Sequence, residues 1–441
     1  MEPILHIGGV DVTRLTQALG TPLMVYDEGA LRKRLAEFSA CFQSPALSTR
    51  VVYAGKAFLC KAMARLVNEM GCSLDTVSGG ELFCALEAGF PAEKIVFHGN
   101  NKTPAELAAA VDAGVGLVVL DSLPECQALT ALAGEKRTAM RVLLRVNPGV
   151  EAHTHKYIVT AHLDSKFGIA AGRKEELYAV LDELNQSEFV TFAGFHAHIG
   201  SQIFDKAAFA AEIEQLAILA QEAEGKGYPV PVLDLGGGFA ARYTDADAPI
   251  PIPEVCQTIL DACLAQKKAR NLSLSEVCIE PGRSIVGEAG TTLYTVGWQK
   301  ETESKRYLFV DGGMADNIRP ALYQAEYDCG AAEHMEAAKT ETYTVAGKCC
   351  ESGDILIEEA KLPPMKTGDL LAVYTTGAYC YSMSSNYNHL GRPAVVFAQD
   401  GKARLVLRRE EPKDLLACET NEVLFDSFSS KKKNEQQEVV L

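Results

Sequence analysis

Between residues 50 and 283, eight β-rich runs alternate with stretches of helical length. The runs lie at 51–55, 73–77, 94–98, 116–121, 140–146, 191–198, 230–235 and 276–280. A strand followed by a helix, repeated eight times, predicts a (β/α)8 barrel. A doubly wound open sheet fits the same alternation, and the pattern alone leaves it open. The intervening stretches carry their own start and stop signals. In "TPAELAAAVDAG", Thr103 is placed to be an N-cap, Pro104 suits the first turn, and Glu106 completes a capping box. "DKAAFAAEIEQLAILAQEAEGKG" predicts a long helix ending at Gly225 or Gly227.

After Arg283 the texture changes. "SIVGEAGTTLYTVGWQKE", "KRYLFVDGG", "ETYTVAGK", "DLLAVYTTGAY", "AVVFAQ" and "KARLVLRRE" read as successive strands separated by turn residues. They predict a second, all-β domain, a sandwich or small barrel. "TPLMVY" near the N-terminus reads as a strand that joins it. The expected division is a barrel over 28–280, a β domain made of 1–27 and 281–420, and a polar, charged tail over 421–441, expected to be frayed. A net charge of −16 argues against nucleic-acid and acidic-membrane surfaces. No apolar run is long enough to span a bilayer, and the start lacks the basic and apolar regions of a signal peptide. Thirteen cysteines, an odd number with no C-x-x-C pair, fit buried thiols in a reducing cytoplasm.

Active-site groups of such barrels lie just past the C-terminal ends of the strands. "RVVYAGKAF" puts Lys56 past the first strand, and "GFHAHIGSQ" ends the sixth with His198. "LDLGGGF" places Gly236, Gly237 and Gly238 after the seventh. "IEPGRS" places Glu280, Pro281, Gly282 and Arg283 at the eighth. Each has a plain structural reading. A lysine can lay its stem on apolar surface with its amine in water. A glycine triplet can be a tight turn, a histidine can bond to backbone in the core, and Glu280 can pair with Arg283. Lysine, glycine loop and acid on one rim point further. A partly desolvated amine is a nucleophile, and bare glycine N–H groups admit a phosphate. Pyridoxal 5'-phosphate needs all three: a lysine for its aldehyde, donors for its phosphate and a carboxylate opposite its pyridine nitrogen. Glu280 is the candidate carboxylate, and His198 could stack on the ring.

The motifs "YAGKAF", "SLDTVSGGEL", "FHGNNK", "VNPGVEAHTHKYIVTAHLDSKFGI", "HAHIGSQIF", "LDLGGGF", "EPGRSIV", "DGGMADNIRPALY", "CCESGD" and "GAYCYSMSSNYN" occur in order between about Val25 and Phe397. With them the chain resembles the diaminopimelate decarboxylases, pyridoxal-phosphate enzymes with an alanine-racemase-like barrel. The resemblance implies decarboxylation of meso-2,6-diaminopimelate to L-lysine and CO2, the last step of lysine biosynthesis. It implies that Lys56 carries the cofactor, His198 stacks on its ring, and Ser201 with Gly236–Gly238 holds the phosphate. Glu280 would face the pyridine nitrogen, beside Pro281, Gly282 and Arg283. Arg283, Arg319 and Tyr323 would bind substrate carboxylate, Tyr379 would lie between cofactor and substrate, and Cys350 would reprotonate the α-carbon. Cys350 and Glu351 would reach the site from the partner of a homodimer. Departures from the family pattern are Gly55, Ala240, Cys380 and the run "NHLGRPAVV" that begins at the asparagine of "YN". A relative acting on another basic amino acid or on carboxynorspermidine is the nearest alternative, and the Arg319, Tyr323 and Glu351 set speaks for two carboxylates. A catalytically silent pyridoxal-phosphate carrier is the alternative from another class, and Lys56 with Cys350 speaks against it.

Overall fold

The computed structural model describes residues 3–150 and 165–422. Its first body is a closed barrel. Eight strands, Ser48–Ala54, Ser73–Thr76, Ile95–Phe97, Leu117–Leu120, Met140–Asn147, Val190–His196, Val232–Asp234 and Glu276–Ile279, pair in parallel in sequence order. The last pairs with the first, Ile279 opposite Val51, and this closure rules out the open doubly wound sheet. The helices form the outer layer. Helix Pro104–Ala113 starts with the expected capping box: the Thr103 hydroxyl accepts from the Glu106 N–H at 3.3 Å, and Glu106 Oε2 accepts from the Thr103 N–H at 2.9 Å. Glu106 Oε1 also accepts from Gly79 N–H at 2.8 Å, so one carboxylate ties two neighbouring helix starts together. Helix Lys206–Gly225 ends at the first of the two glycines expected.

The second body is a mixed sheet built around Gly290–Glu301, a long strand pairing with Leu23–Asp27, Arg306–Val310 and Leu370–Val373. The "TPLMVY" segment thus joins the β domain, where it also pairs in parallel with Ala394–Gln399. Asp27 then caps the first helix of the barrel, Glu28–Cys41, by accepting from Ala30 N–H at 2.9 Å. One residue therefore ends a strand of one body and starts a helix of the other.

Some expectations are corrected. "SIVG" is a helical turn, Arg283–Val286, and the strand begins only at Gly290. The sixth barrel strand ends at His196, two residues before His198. Strands Cys329–Ala331 and Ile355–Leu362 and the helix Val12–Leu19 were not anticipated. The tail beyond residue 422, and residues 151–164 within the motif "VNPGVEAHTHKYIVTAHLDSKFGI", lie outside the described residues. Among these, no helix is long and apolar enough to cross a membrane.

Candidate active site

The barrel interior changes character along its axis. Val52, Val96, Leu143, Val232 and Cys278 belong to a small buried cluster of their own, on alternate positions of five strands. Side chains two residues apart share one face of a strand. One step further toward the C-terminal ends, that face carries Ala54, His98, Arg145, Asp234 and Glu280. An apolar plug thus lies beneath a polar floor, and Lys56 stands one more step up, half-buried in the turn Gly55–Ala57.

Glu280 is the centre of that floor. It is 6% exposed. His98 Nε2 lies 2.7 Å from its Oε1, and His196 Nε2 lies 3.3 Å from its Oε2. The imidazoles meet edge-to-face, with ring centroids 4.8 Å apart. Burial alone would raise the Glu280 carboxyl, but the two imidazoles outweigh it and hold the pKa well below the ordinary range. Burial lowers His196 to about 4, against the opposing pull of Glu280. His198 stays neutral because burial, then the charges of Lys56 and Arg145, push it down. Its Nδ1 accepts from Gly237 N–H at 3.2 Å. Asp75 and Asp234 also reach the floor, where burial raises both.

Asp234 offers a test. Its Oδ1 accepts from Gly236 N–H at 3.0 Å, a bond an asparagine carbonyl keeps. Its pKa is raised by burial and by the Glu280 charge. Such a carboxyl contributes its full stability below the unfolded value of about 4 and loses it as pH climbs toward the folded pKa. Asp234→Asn cannot ionise. Its melting temperature relative to wild type should therefore rise steadily from about pH 4 upward. A difference that stays flat across thermal melts from pH 5 to 9 would mean that Asp234 is ionised in the folded protein.

The loops after strands six, seven and eight form a cradle with no room for side chains. A Cβ at Gly236, where φ is +61°, would lie 2.6 Å from Ala197 O. At Gly237 it would lie 2.4 Å from Glu280 O, and at Gly238, φ +105°, 2.6 Å from Ile203 Cδ1. Gln202 clamps the loop by accepting from Ala241 N–H at 2.8 Å and donating to Ala241 O at 3.1 Å. Ala240 has no left-handed φ, so its departure from the family glycine costs no backbone strain. Gly55 is required in this chain, since a Cβ there would stand 2.6 Å from Asp75 O.

Two guanidinium groups are buried without a carboxylate partner among the described residues. Arg283, 5% exposed, donates from Nε and Nη2 to Ser201 Oγ at 3.1 and 2.9 Å and from Nη1 to Tyr243 Oη at 2.5 Å. Arg319, 7% exposed, donates from Nε to Tyr327 Oη at 2.9 Å. Tyr379 lies between them, with its ring centroid 4.8 Å from the Arg283 Cζ and 5.4 Å from that of Arg319. Its φ of +68° is a strained value for a tyrosine. Its N–H donates to Ala57 O at 2.8 Å, which ties this aromatic to the lysine turn.

The residues expected from sequence thus divide. Lys56, His198, Ser201, Gly236–Gly238, Glu280, Gly282, Arg283, Arg319 and Tyr379 come together, with Pro281 accepting from Ala54 N–H at 3.1 Å. Tyr323 is half-buried, its ring 5.6 Å from the Arg319 Cζ. Cys350 and Glu351 are exposed, and Cys350 N–H donates to Asn388 Oδ1. The geometry adds Asp75, His98, Arg145, His196, Asp234, Tyr243 and Tyr327.

A phosphorylated aldehyde with a ring nitrogen fits these residues. Lys56 can receive the aldehyde, and the glycine cradle, which any Cβ would fill, can receive a phosphate. The buried Ser284 hydroxyl, in the helical turn after Gly282, has no hydrogen-bond partner among the described residues. Glu280, ionised by its neighbours, can face a protonated nitrogen.

Comparison with known proteins agrees. Residues 28–287 match the model of the pyridoxal binding domain of pyridoxal-dependent decarboxylases. The chain is 49% identical over 414 residues to diaminopimelate decarboxylase of Bacillus subtilis (strain 168), covering 93% of this chain and 94% of that one. It is 44% identical over 427 residues to that of Mycobacterium tuberculosis (strain H37Rv), covering 94% and 95%. Its fold matches the crystal structure of diaminopimelate decarboxylase from M. jannaschii in complex with L-lysine, with a TM-score of 0.88 at 31% identity, covering 94% and 95%.

Proposed function

Since the chain belongs to the diaminopimelate decarboxylase family of pyridoxal-dependent decarboxylases, we infer that it uses the site described above to convert meso-2,6-diaminopimelate to L-lysine and CO2. One observation carries the assignment of roles: two buried arginines without acidic partners among the described residues flank Tyr379 beside the lysine turn. A buried cation without a counter-ion is costly unless a ligand supplies one. Two such cations suit a substrate with a carboxylate at each end.

Pyridoxal phosphate, when bound, supplies the electron sink for the pair left behind as CO2 departs. The chain's own residues do the rest. Lys56 Nζ is the amine that holds the cofactor aldehyde. Gly236–Gly238, Ser201 and Gly282 hold the phosphate, with Pro281 fixing the loop. Glu280 keeps a proton on the pyridine nitrogen, and His98 and His196 keep Glu280 ionised. His198 offers a neutral imidazole to the ring face. Arg283, Arg319 and Tyr323 take substrate carboxylate, Glu351 takes the distal amine, and Tyr379 separates substrate from cofactor. The Cys350 thiol returns a proton to the α-carbon. Cys350 and Glu351 are exposed in a single chain, which supports their acting in the site of a partner subunit, in a homodimer with shared active sites. All thirteen cysteines are free thiols, which supports a reducing, cytoplasmic location. The barrel is assigned to 28–280, the β domain to 1–27 and 281–420, and a tail to 421–441. No nucleic-acid or membrane partner is assigned.

The test is a substrate panel. Diaminopimelate isomers, lysine, ornithine and arginine are scored for CO2 and product, and comparable turnover of lysine or ornithine would overturn the reading. Arg319→Lys sharpens it. An ammonium keeps the charge and loses the planar fork of donors. Losing one charge-assisted bond should cost roughly 1.5–3 kcal/mol, on the order of 10- to 150-fold in kcat/KM. The cofactor absorbance should stay as in wild type. Unchanged kinetics would remove Arg319 from the substrate site, and loss of cofactor would move it to the cofactor site.

A further inference from the structure

We propose that Cys380 is a positioning residue for Arg319: acting through Tyr327, it fixes which edge of the guanidinium meets the substrate's distal carboxylate. The proposal rests on the reading of Arg319 as a carboxylate-binding group.

The argument is one of proton direction. A guanidinium has donors only. Where Arg319 Nε meets Tyr327 Oη at 2.9 Å, the phenol oxygen therefore accepts, and its own proton must go elsewhere. The other partner of that hydroxyl is Cys380 Sγ, 3.5 Å away. The thiol, receiving that proton, sends its own onward. Asn317 Oδ1 lies 3.4 Å from Sγ, with Ala378 O at 3.7 Å as the secondary acceptor. Asn317 Oδ1 also accepts the Arg319 backbone N–H at 3.3 Å, which brings the chain of bonds back to its starting residue. Arg319, Tyr327, Cys380 and Asn317 thus form one closed ring of bonds, every member buried. Burial pushes the Cys380 thiol up to about 11, so it keeps the proton it has to donate.

The ring selects a geometry. A guanidinium can meet a carboxylate along its Nε/Nη2 edge or along its Nη1/Nη2 edge. Tyr327 occupies Nε, which leaves only the second edge for a two-bond contact. The same phenol packs edge-on against Tyr243, centroids 5.3 Å apart, and Tyr243 accepts from Arg283. The two tyrosines therefore set the spacing of the two arginines as well as the orientation of one. Without the Cys380 sulfur, the buried Tyr327 proton has no acceptor among the described residues, and the phenol must turn away from Arg319 to find one.

Steady-state kinetics of the holoenzyme on meso-diaminopimelate test this. Cys380→Ala and Tyr327→Phe should each raise KM about 3- to 10-fold, with kcat within about twofold of wild type, the size of one lost buried hydrogen bond. Cys380→Ser both accepts and donates, and should return KM to within about threefold of wild type. The double variant Cys380→Ala/Tyr327→Phe should be no worse than Tyr327→Phe alone, because both changes break the same ring. An unchanged KM in Cys380→Ala beside an impaired Arg319→Lys overturns the ring and leaves Arg319 in place. An unimpaired Arg319→Lys overturns both. Additive losses in the double variant, or failure of serine to rescue, make Cys380 a packing residue and overturn the proposal.

Discussion

Lys56→Ala should lose both turnover and covalently held cofactor. The turn that carries this lysine is fixed from two sides. Gly55 lets the first two strands approach until its missing Cβ would stand 2.6 Å from Asp75 O, and Ala57 O accepts from Tyr379 N–H at 2.8 Å and Ser382 Oγ at 3.1 Å. Among the described residues no other lysine is so placed. Lys102 is more deeply buried than Lys56, but its amine donates to Gly99 O, Val119 O and Glu125 Oε1, so its three protons are already engaged. Lys61 is exposed and paired with Glu87 at 3.1 Å. Borohydride reduction of the holoenzyme followed by peptide mapping should find the pyridoxyl group on Lys56. A label on Lys61, Lys102 or Lys166 would reassign the nucleophile.

The second expected result concerns subunits. Lys56→Ala and Cys350→Ala proteins should each be inactive, and a mixture should regain activity. In a mixed dimer one site receives both lesions and the other receives none. Free exchange makes half the dimers mixed, so about a quarter of all sites should be intact, a counting estimate for symmetric dimers. The structural reason is that Cys350 and Glu351 are exposed, whereas the arginines they would serve are buried. A proton donor open to bulk water controls neither its proton nor its face of attack. No recovery, with exchange demonstrated independently, would mean that each chain completes its own site.

The barrel was legible because its signals are local. Each strand is a short β-rich run with punctuation at both ends, and Thr103 with Glu106 announces a helix start within four residues. The misreading at "SIVG" has the opposite cause. Ile285 and Val286 favour strand by propensity, yet Ile285 N–H and Val286 N–H both bond to Gly282 O, and the segment turns helical against its preference. The rim residues were legible as motifs, whereas the floor beneath them needs the barrel to close. His98, His196 and Glu280 come from strands three, six and eight and meet only in three dimensions. A signal was present: His98 sits two residues past the interior Val96, and His196 two residues before His198. Nothing in sequence spacing pairs Tyr243 with Arg283 or Tyr327 with Arg319, because each contact joins the first residue of a short helical turn to a loop.

The strand Leu23–Asp27 has a consequence for synthesis. It lies between Gly290–Glu301 and Ala394–Gln399, so one of its edges waits until nearly the whole chain has been made. At ~5–20 residues per second, the roughly 370 residues in between take on the order of 20–70 s to leave a ribosome. For that time a nascent chain carries an unpaired edge of almost purely apolar side chains, "LMVY", with the partner of that edge not yet translated. The barrel, whose eight strands are complete by Ile279, can close first and hold the waiting segment against its flank through Asp27 and helix Glu28–Cys41. Chains stopped shortly before Ala394 on a stalled ribosome should therefore hold a finished barrel and still bind chaperones at their N-terminal strand.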